Sequence, residues 1–285
     1  MGILLALIAL FSWGLGDFLI EKSTRKFGDW IALFYITTFG SIVLFPFILN
    51  DFVIYFNIHF FLLLLSSFVM LLGALLDFEA LKVGKISIVE PIYALEIVVV
   101  VFLSIFIINE KLNLLQTLLV IASMIGIFLV STKSFSHFKN IKTEKGVWYA
   151  ASAAICMGTA TFLFGLSARE TSPLFINWFV DIFIMISTLI YLTVNSRLKE
   201  IVIDMKENKR LIFSVSFFDN LAWIMFSFAT LFIPIAVATT ISEGYIAFAS
   251  FLGVTFNKEK LKYHQIFGFF ITFVSIIMLS MITDK

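Results

Sequence analysis

The sequence predicts an all-α integral membrane protein with ten transmembrane helices, arranged as two inverted five-helix repeats. Composition is the first ground: 61% of the residues are hydrophobic and 14% are charged, against about 45–50% and about 25% in soluble domains. The second ground is the grouping of apolar residues into runs near the roughly 20 residues that a helix needs to cross a bilayer. The third is a motif that recurs late in each half of the chain at a fixed displacement.

Ten apolar runs stand between short polar breaks: 2–21, 30–50, 59–81, 86–108 and 112–132, then 146–168, 173–194, 211–232, 234–257 and 262–282. Their interiors are too long and too evenly apolar for soluble helices, and barrel strands would alternate in character. The first run has no basic residue before it and no small-residue cleavage pattern after it, so it reads as a span and not as a signal peptide. The chain divides into residues 1–132, a basic linker 133–145, and residues 146–285. Between the seventh and eighth runs, Leu198, Ile201, Val202 and Met205 recur at helical spacing among charges. That is the pattern of a short helix lying in the membrane interface, with a solvated loop as the alternative.

The repeat is the most informative feature. Glu110-Lys111-Leu112 with Gln116 follows the fourth run, and Glu259-Lys260-Leu261 with Gln265 follows the ninth, each residue displaced by 149 positions. Gly2, Gly14 and Phe18 match Gly146, Gly158 and Phe162 at a displacement of 144. A unit of five spans crosses an odd number of times, so its second copy must enter the membrane from the opposite side. Charge agrees with that inversion: 17 of the Lys and Arg residues fall in loops on the side away from the N-terminus, and 3 fall on the N-terminal side. Complementary bias between halves is expected of an inverted duplication. Because cytoplasmic loops carry the excess of Lys and Arg, a multi-pass protein of the cytoplasmic membrane with both termini outside is predicted.

Several classes are excluded. Lys plus Arg total 20 and Asp plus Glu total 19, so nothing points to a nucleic-acid partner. Cys156 stands alone, and His59, His137 and His264 are too few and too scattered for a metal site. No nucleotide-binding loop and no other cofactor motif is present.

The chain resembles the drug/metabolite transporter superfamily, and within it the EamA-type transporters. The resemblance rests on Gly84-Lys85-Ile86-Ser87-Ile88-Val89-Glu90-Pro91-Ile92, on Glu110-Lys111-Leu112 with Gln116 and Gly126, and on Trp13-Gly14. In the second half it rests on Ile235-Ala236-Val237 and on Glu259-Lys260-Leu261 with Gln265 and Gly268. It implies alternating-access carriage of small organic metabolites through a central cavity between the halves, with the fifth span of each half at the periphery. This chain departs from the family in its charge bias, where many relatives have cytoplasmic termini, and in carrying acids where relatives usually have neutral residues.

Those acids are the strongest functional signal. Asp17, Glu21, Asp77, Glu79, Glu90, Glu96, Asp181, Asp219 and Glu243 fall within the predicted spans, and no Lys or Arg lies deep in any of them. A carboxylate facing lipid at mid-membrane costs about 2.5–3.5 kcal/mol or more, so these groups must face one another, water or a ligand. Asp17, Glu90, Asp219, Glu243, Asp77, Glu96 and Asp181 are the candidate substrate or proton sites. Trp13, Gly14, Tyr93, Trp223 and Tyr245 are candidates to line the cavity. Pro91, beside Glu90, is the candidate helix break, freeing a carbonyl at mid-membrane. Glu79 pairs as readily with Lys82, Glu21 fits a solvated helix end, and Glu110 and Glu259 at loop starts fit clamps or caps of the fold.

The sequence favours a secondary transporter that exchanges protons for a small cationic or amine-bearing metabolite. A carboxylate beside an aromatic face, as with Asp219 and Trp223, suits an organic cation. A carrier of neutral amino acids or sugars is the alternative, with the acids serving proton coupling. A third reading starts at Gly14-Leu15-Gly16-Asp17, which resembles the Gly-x-Gly-Asp signature of intramembrane aspartyl proteases, with Asp77 or Asp181 as partner. Against it, Asp17 lies in the first span and neither the Tyr-Asp nor the Pro-Ala-Leu element of that family is present.

Overall fold

The computed structural model describes residues 1–83, 91–132, 146–257 and 261–283, in backbone alone at 17, 18, 21, 25, 50–58, 78, 81–83, 250 and 253–257. The described residues form helices and no strand. In chain order these are α1 (Gly2–Phe27), α2 (Asp29–Ile58), α3 (Phe60–Val83), α4 (Leu95–Ile107), α5 (Leu114–Ser131) and α6 (Gly146–Glu170). They continue as α7 (Pro173–Val194), α8 (Leu198–Glu207), α9 (Lys209–Thr230), α10 (Ile235–Ser242), α11 (Tyr245–Asn257) and α12 (Tyr263–Thr283). Seven of the described helices are long and apolar enough to cross a membrane, and the shorter apolar segments Gly2–Gly16, Pro91–Ile107 and Ile235–Ala249 accompany them.

Local chemistry fixes the helix ends. Gly28 turns the chain between α1 and α2 in a single residue at φ 81, a conformation in which a Cβ would be strained. Ser172 caps α7 through a bond from Phe175 N–H, with Pro173 at the first helical position. Asn113 and Gln116 form a reciprocal capping box at α5: Gln116 N–H donates to Asn113 Oδ1 at 2.8 Å, and Asn113 N–H donates to Gln116 Oε1 at 3.0 Å. At α12, Lys262 N–H donates to Gln265 Oε1, also at 3.0 Å. The Gln of the repeated motif therefore closes the start of the same helix in each half.

The structure departs from the sequence reading in three places. The second run does not stop at residue 50: α2 continues to Ile58 and carries Pro46 within it. Pro46 faces outward, so its ring sits away from the buried packing of the bundle. The fourth run is interrupted by a turn at Ala94, three residues past Pro91. Pro91 itself begins the described helical residues, so the carbonyls before it lie outside the described residues. The ninth run is also broken, at Glu243 and Gly244, where Gly244 N–H donates to the Ile241 carbonyl three residues back at 3.1 Å. Ala94 and Glu243 are themselves 149 positions apart, so the interruption repeats with the motif. Between α7 and α9, the amphipathic segment is the helix α8, with Leu198, Val202, Ile203 and Met205 exposed. Beside it, Arg197 grips Glu200 at 2.7 Å and holds that carboxyl below its ordinary range. The linker 133–145 lies outside the described residues.

Packing follows a pattern of exchange between the halves. α1 lies on α9 and α3 lies on α6, while α2 pairs with α7 and α5 pairs with α12. Each pair runs antiparallel. Trp30 near the start of α2 stacks on Tyr191 near the end of α7, with centroids 3.7 Å apart. Gln116 at the start of α5 donates to Thr283 at the end of α12, and Gln265 at the start of α12 donates to the Val130 carbonyl near the end of α5. At that last crossing Gly126 and Gly268 face each other. A Cβ on Gly268 would sit 2.7 Å from the Gly126 carbonyl, so the backbones touch as small residues allow in membranes.

Candidate functional site

Where the helices of the two halves meet, the bundle encloses a cavity of about 250 Å³. α7 contributes Asn177 and Asp181, α9 contributes Asp219, Asn220 and Trp223, and α3 contributes Asp77. The interrupted segments bring Tyr93 and Glu96 from one half and Glu243 and Tyr245 from the other. A helix break at each of these points lets the chain turn a carboxylate inward without carrying the whole span across the cavity. Trp13 and Thr24 of α1, Thr37 of α2, and Thr161 and Phe164 of α6 complete the polar and aromatic wall.

Five of the seven acids singled out in the sequence thus line this one cavity: Asp77, Glu96, Asp181, Asp219 and Glu243. The side chain of Asp17 and all of Glu90 lie outside the described residues. Gly14, expected to line the cavity, does not. It is buried, and a Cβ there would meet Phe248 Cδ1 at 2.5 Å, so this glycine serves the contact between α1 and α11. Trp13, Tyr93, Trp223 and Tyr245 do reach the cavity. Trp223 stands edge-on to Trp13 at 4.9 Å and close to Phe164 at 4.8 Å, with Tyr245 6.1 Å from Trp13. These rings form one continuous aromatic surface beside the acids.

Polar groups on the wall are held by neighbours. Thr161 Oγ1 donates to Glu96 Oε1 at 2.8 Å. Tyr93 O–H donates to the Asp77 backbone carbonyl at 3.3 Å. Asn177 donates to the Pro173 carbonyl at 2.7 Å and to Ser227 Oγ at 2.8 Å. Asn220 donates to the Ile36 carbonyl at 3.0 Å and the Ser216 carbonyl at 2.9 Å. Among the described residues Asp77, Glu96, Asp181 and Asp219 have no cationic partner, and no Lys, Arg or His lines the cavity. Thr161 and Asn220 escaped the sequence reading. Asn220 was legible as an amide at i+4 from Ser216 in an apolar run, but Thr161 had no signal, because its value comes from Glu96 on another helix.

The wall has a direction. Its residues run from mid-bundle toward the turn between α1 and α2, with Thr24, Ala32 and Leu33 nearest that end. The opposite end is held by a clamp. Glu110 accepts from Ile235 N–H at 2.7 Å and Ala236 N–H at 3.2 Å, and pairs with Arg169 at 2.8 Å. Arg169 in turn donates to the Thr230 and Ile233 carbonyls at 2.6 and 2.9 Å. One carboxylate therefore caps the start of α10 while its guanidinium partner closes the end of α9. Glu259, the equivalent acid in the second half, lies outside the described residues, and no cluster of metal-ligating side chains occurs among those described.

The chain matches the EamA-like transporter family over residues 1–132 and again over 144–281. No curated protein matches it in sequence. A solved structure described only as "Crystal structure of protein" superposes with a TM-score of 0.72 over 100% of this chain and 99% of its own, at 11% identity, which speaks for the fold alone. The protein belongs to the EamA-like transporter family. It is accordingly a multi-pass membrane transporter of small molecules.

Proposed function

We propose that the protein is a secondary carrier that moves a small organic cation, or an amine-bearing metabolite, across the cytoplasmic membrane by alternating access with proton coupling or exchange. One observation carries this reading: among the described residues, five carboxylates and no basic side chain line a single cavity together with aromatic rings. Carboxylates in a low-dielectric site attract a cation strongly, and Trp223 and Trp13 add their ring faces to that attraction. At about 250 Å³ the cavity falls below the roughly 300–1,000 Å³ of drug-sized sites, which favours a compact metabolite.

The rest of the architecture fits a carrier. The seven long apolar helices and three shorter apolar segments among the described residues are compatible with ten spans in two five-span repeats. The antiparallel pairing of α1 with α9, α2 with α7, α3 with α6 and α5 with α12 supports an inverted relation between them. The excess of Lys and Arg supports both termini lying outside, with the turn between α1 and α2 cytoplasmic and the Glu110–Arg169 clamp external. Lipid and protons are then the partners besides the substrate.

Proteoliposomes loaded with a pH-sensitive dye test the proposal. Putrescine, spermidine, arginine and lysine are added first, then alanine and glucose. Proton movement triggered by the cations and absent with the neutral solutes is the expected result. Movement triggered equally by alanine or glucose would overturn the cation reading and leave a neutral-solute carrier.

A further inference from the structure

We infer that Asp181 is the carboxyl that carries the coupling proton, and that Asn220 is the positioning residue that holds its acid form. The inference rests on the proton-coupled cation reading above and names the group that performs the coupling.

The argument begins with an amide whose orientation is fixed. Both N–H bonds of Asn220 are taken by carbonyls, those of Ile36 on α2 and Ser216 one turn earlier on α9. Carbonyls accept only, so the nitrogen must face them and Oδ1 must face the other way. On that other side is Gly40 of α2. Asn220 Oδ1 and Asp181 Oδ2 lie 2.0 and 1.9 Å from the point that a Cβ of residue 40 would occupy. The two oxygens converge on one spot that is free only because residue 40 has no side chain.

Those two distances set the oxygens no more than 3.9 Å apart, and two acceptors that close repel unless a hydrogen lies between them. Gly40 offers a C–H, which is a weak donor. No hydroxyl, amide or cation among the described residues donates to Asp181, and Asn220 has no N–H left to give. The hydrogen that completes the contact is that of Asp181 itself, whose acid O–H donates to Asn220 Oδ1. A carboxylate at this place would face an amide oxygen across a low-dielectric gap, a repulsive arrangement.

Among the elements packed on α7, α9 supplies Asp219, the charged neighbour of Asp181. α3 supplies Asp77 to the cavity, while α2 and α6 supply no ionisable group to its wall. Among the described residues, every ionisable group that faces Asp181 is therefore an acid, which makes a cation the natural replacement for its proton. The exchange balances: the Asp181 O–H bond breaks, the proton passes to solvent, and the resulting carboxylate accepts an ammonium N–H from the substrate. One proton leaves as one positive charge enters.

Infrared difference spectroscopy on the full-length protein in lipid, with no substrate added, tests this directly. The expected result is a hydrogen-bonded carboxylic acid C=O band that disappears in Asp181→Asn. The band moves to higher frequency in Asn220→Leu, which removes the acceptor, and in Gly40→Ala, which forces the two oxygens apart. A band that survives Asp181→Asn, or stays put in both other variants, overturns the assignment; those two variants keep it testable if Asp181→Asn does not fold. Putrescine uptake by the wild type is measured alongside. Uptake without an Asp181-dependent band overturns this inference alone. The full infrared pattern without cation uptake supports the Asp181 assignment and overturns the cation reading.

Discussion

Glu110, in the connection between α4 and α5, and Asp219, within α9, are both carboxylates of an apolar bundle, and their surroundings give them opposite uses. Around Glu110, Arg169 and two backbone N–H groups meet the carboxylate oxygens, and Arg169 is itself engaged by two carbonyls. Its charge is met within the fold. Asp219 stands on the cavity wall beside Asp181 and Trp223 with no cation near it among the described residues. An acid in a membrane protein is thus a strut where its charge is met within the fold, and a binding group where the fold leaves its charge to be met from outside.

The comparison can be broken at either end. The largest effect is expected for Glu110→Gln, which leaves Arg169 without its counter-charge and weakens the cap on α10. Stability should fall by about 3 kcal/mol, as when one partner of a buried pair is removed, seen as a lower melting temperature of the purified protein. Asp219→Asn should do the reverse. Its melting temperature should not drop, while apparent cation affinity falls about tenfold to a hundredfold, the roughly 1.5–3 kcal/mol of a hydrogen bond to a charged group. An Asp219→Asn protein that melts early and transports normally would merge the two classes of acid.

Trp223→Leu sharpens the comparison within the cavity. Loss of about 1 kcal/mol of cation–π attraction should weaken uptake of a quaternary or primary ammonium about fivefold and leave uptake of neutral solutes unchanged. The smallest effect is expected at Glu200, whose pair with Arg197 is open to solvent. Glu200→Gln should leave both melting temperature and transport as they are, because exposed pairs contribute little.

Much of the helical content was legible because uniform apolar runs near span length admit few other structures. The repeated Gln116 and Gln265 were visible as a motif, and their bonds at the starts of α5 and α12 explain why the spacing recurs. The interruption at Glu243 and Gly244 was not read from the sequence, since one glycine in an apolar run signals a break no more than a tolerated helix residue. Gly14 misled for a related reason. Its place on a face with acids suggested the cavity, whereas its lack of a Cβ serves Phe248.

The sequence by itself determined the membrane-spanning helical character, the doubling of the chain and the presence of acids with no basic residue deep in the spans. These follow from composition, periodicity and displacement, which need no knowledge of neighbours. Only the tertiary structure decided which acids are answered within the fold and which share a cavity. Glu110 and Arg169 are 59 positions apart, and Gly40, Asp181 and Asn220 come from three helices. The charge state and use of a buried group depend on what lies within a few ångströms of it, and chain order does not supply that distance.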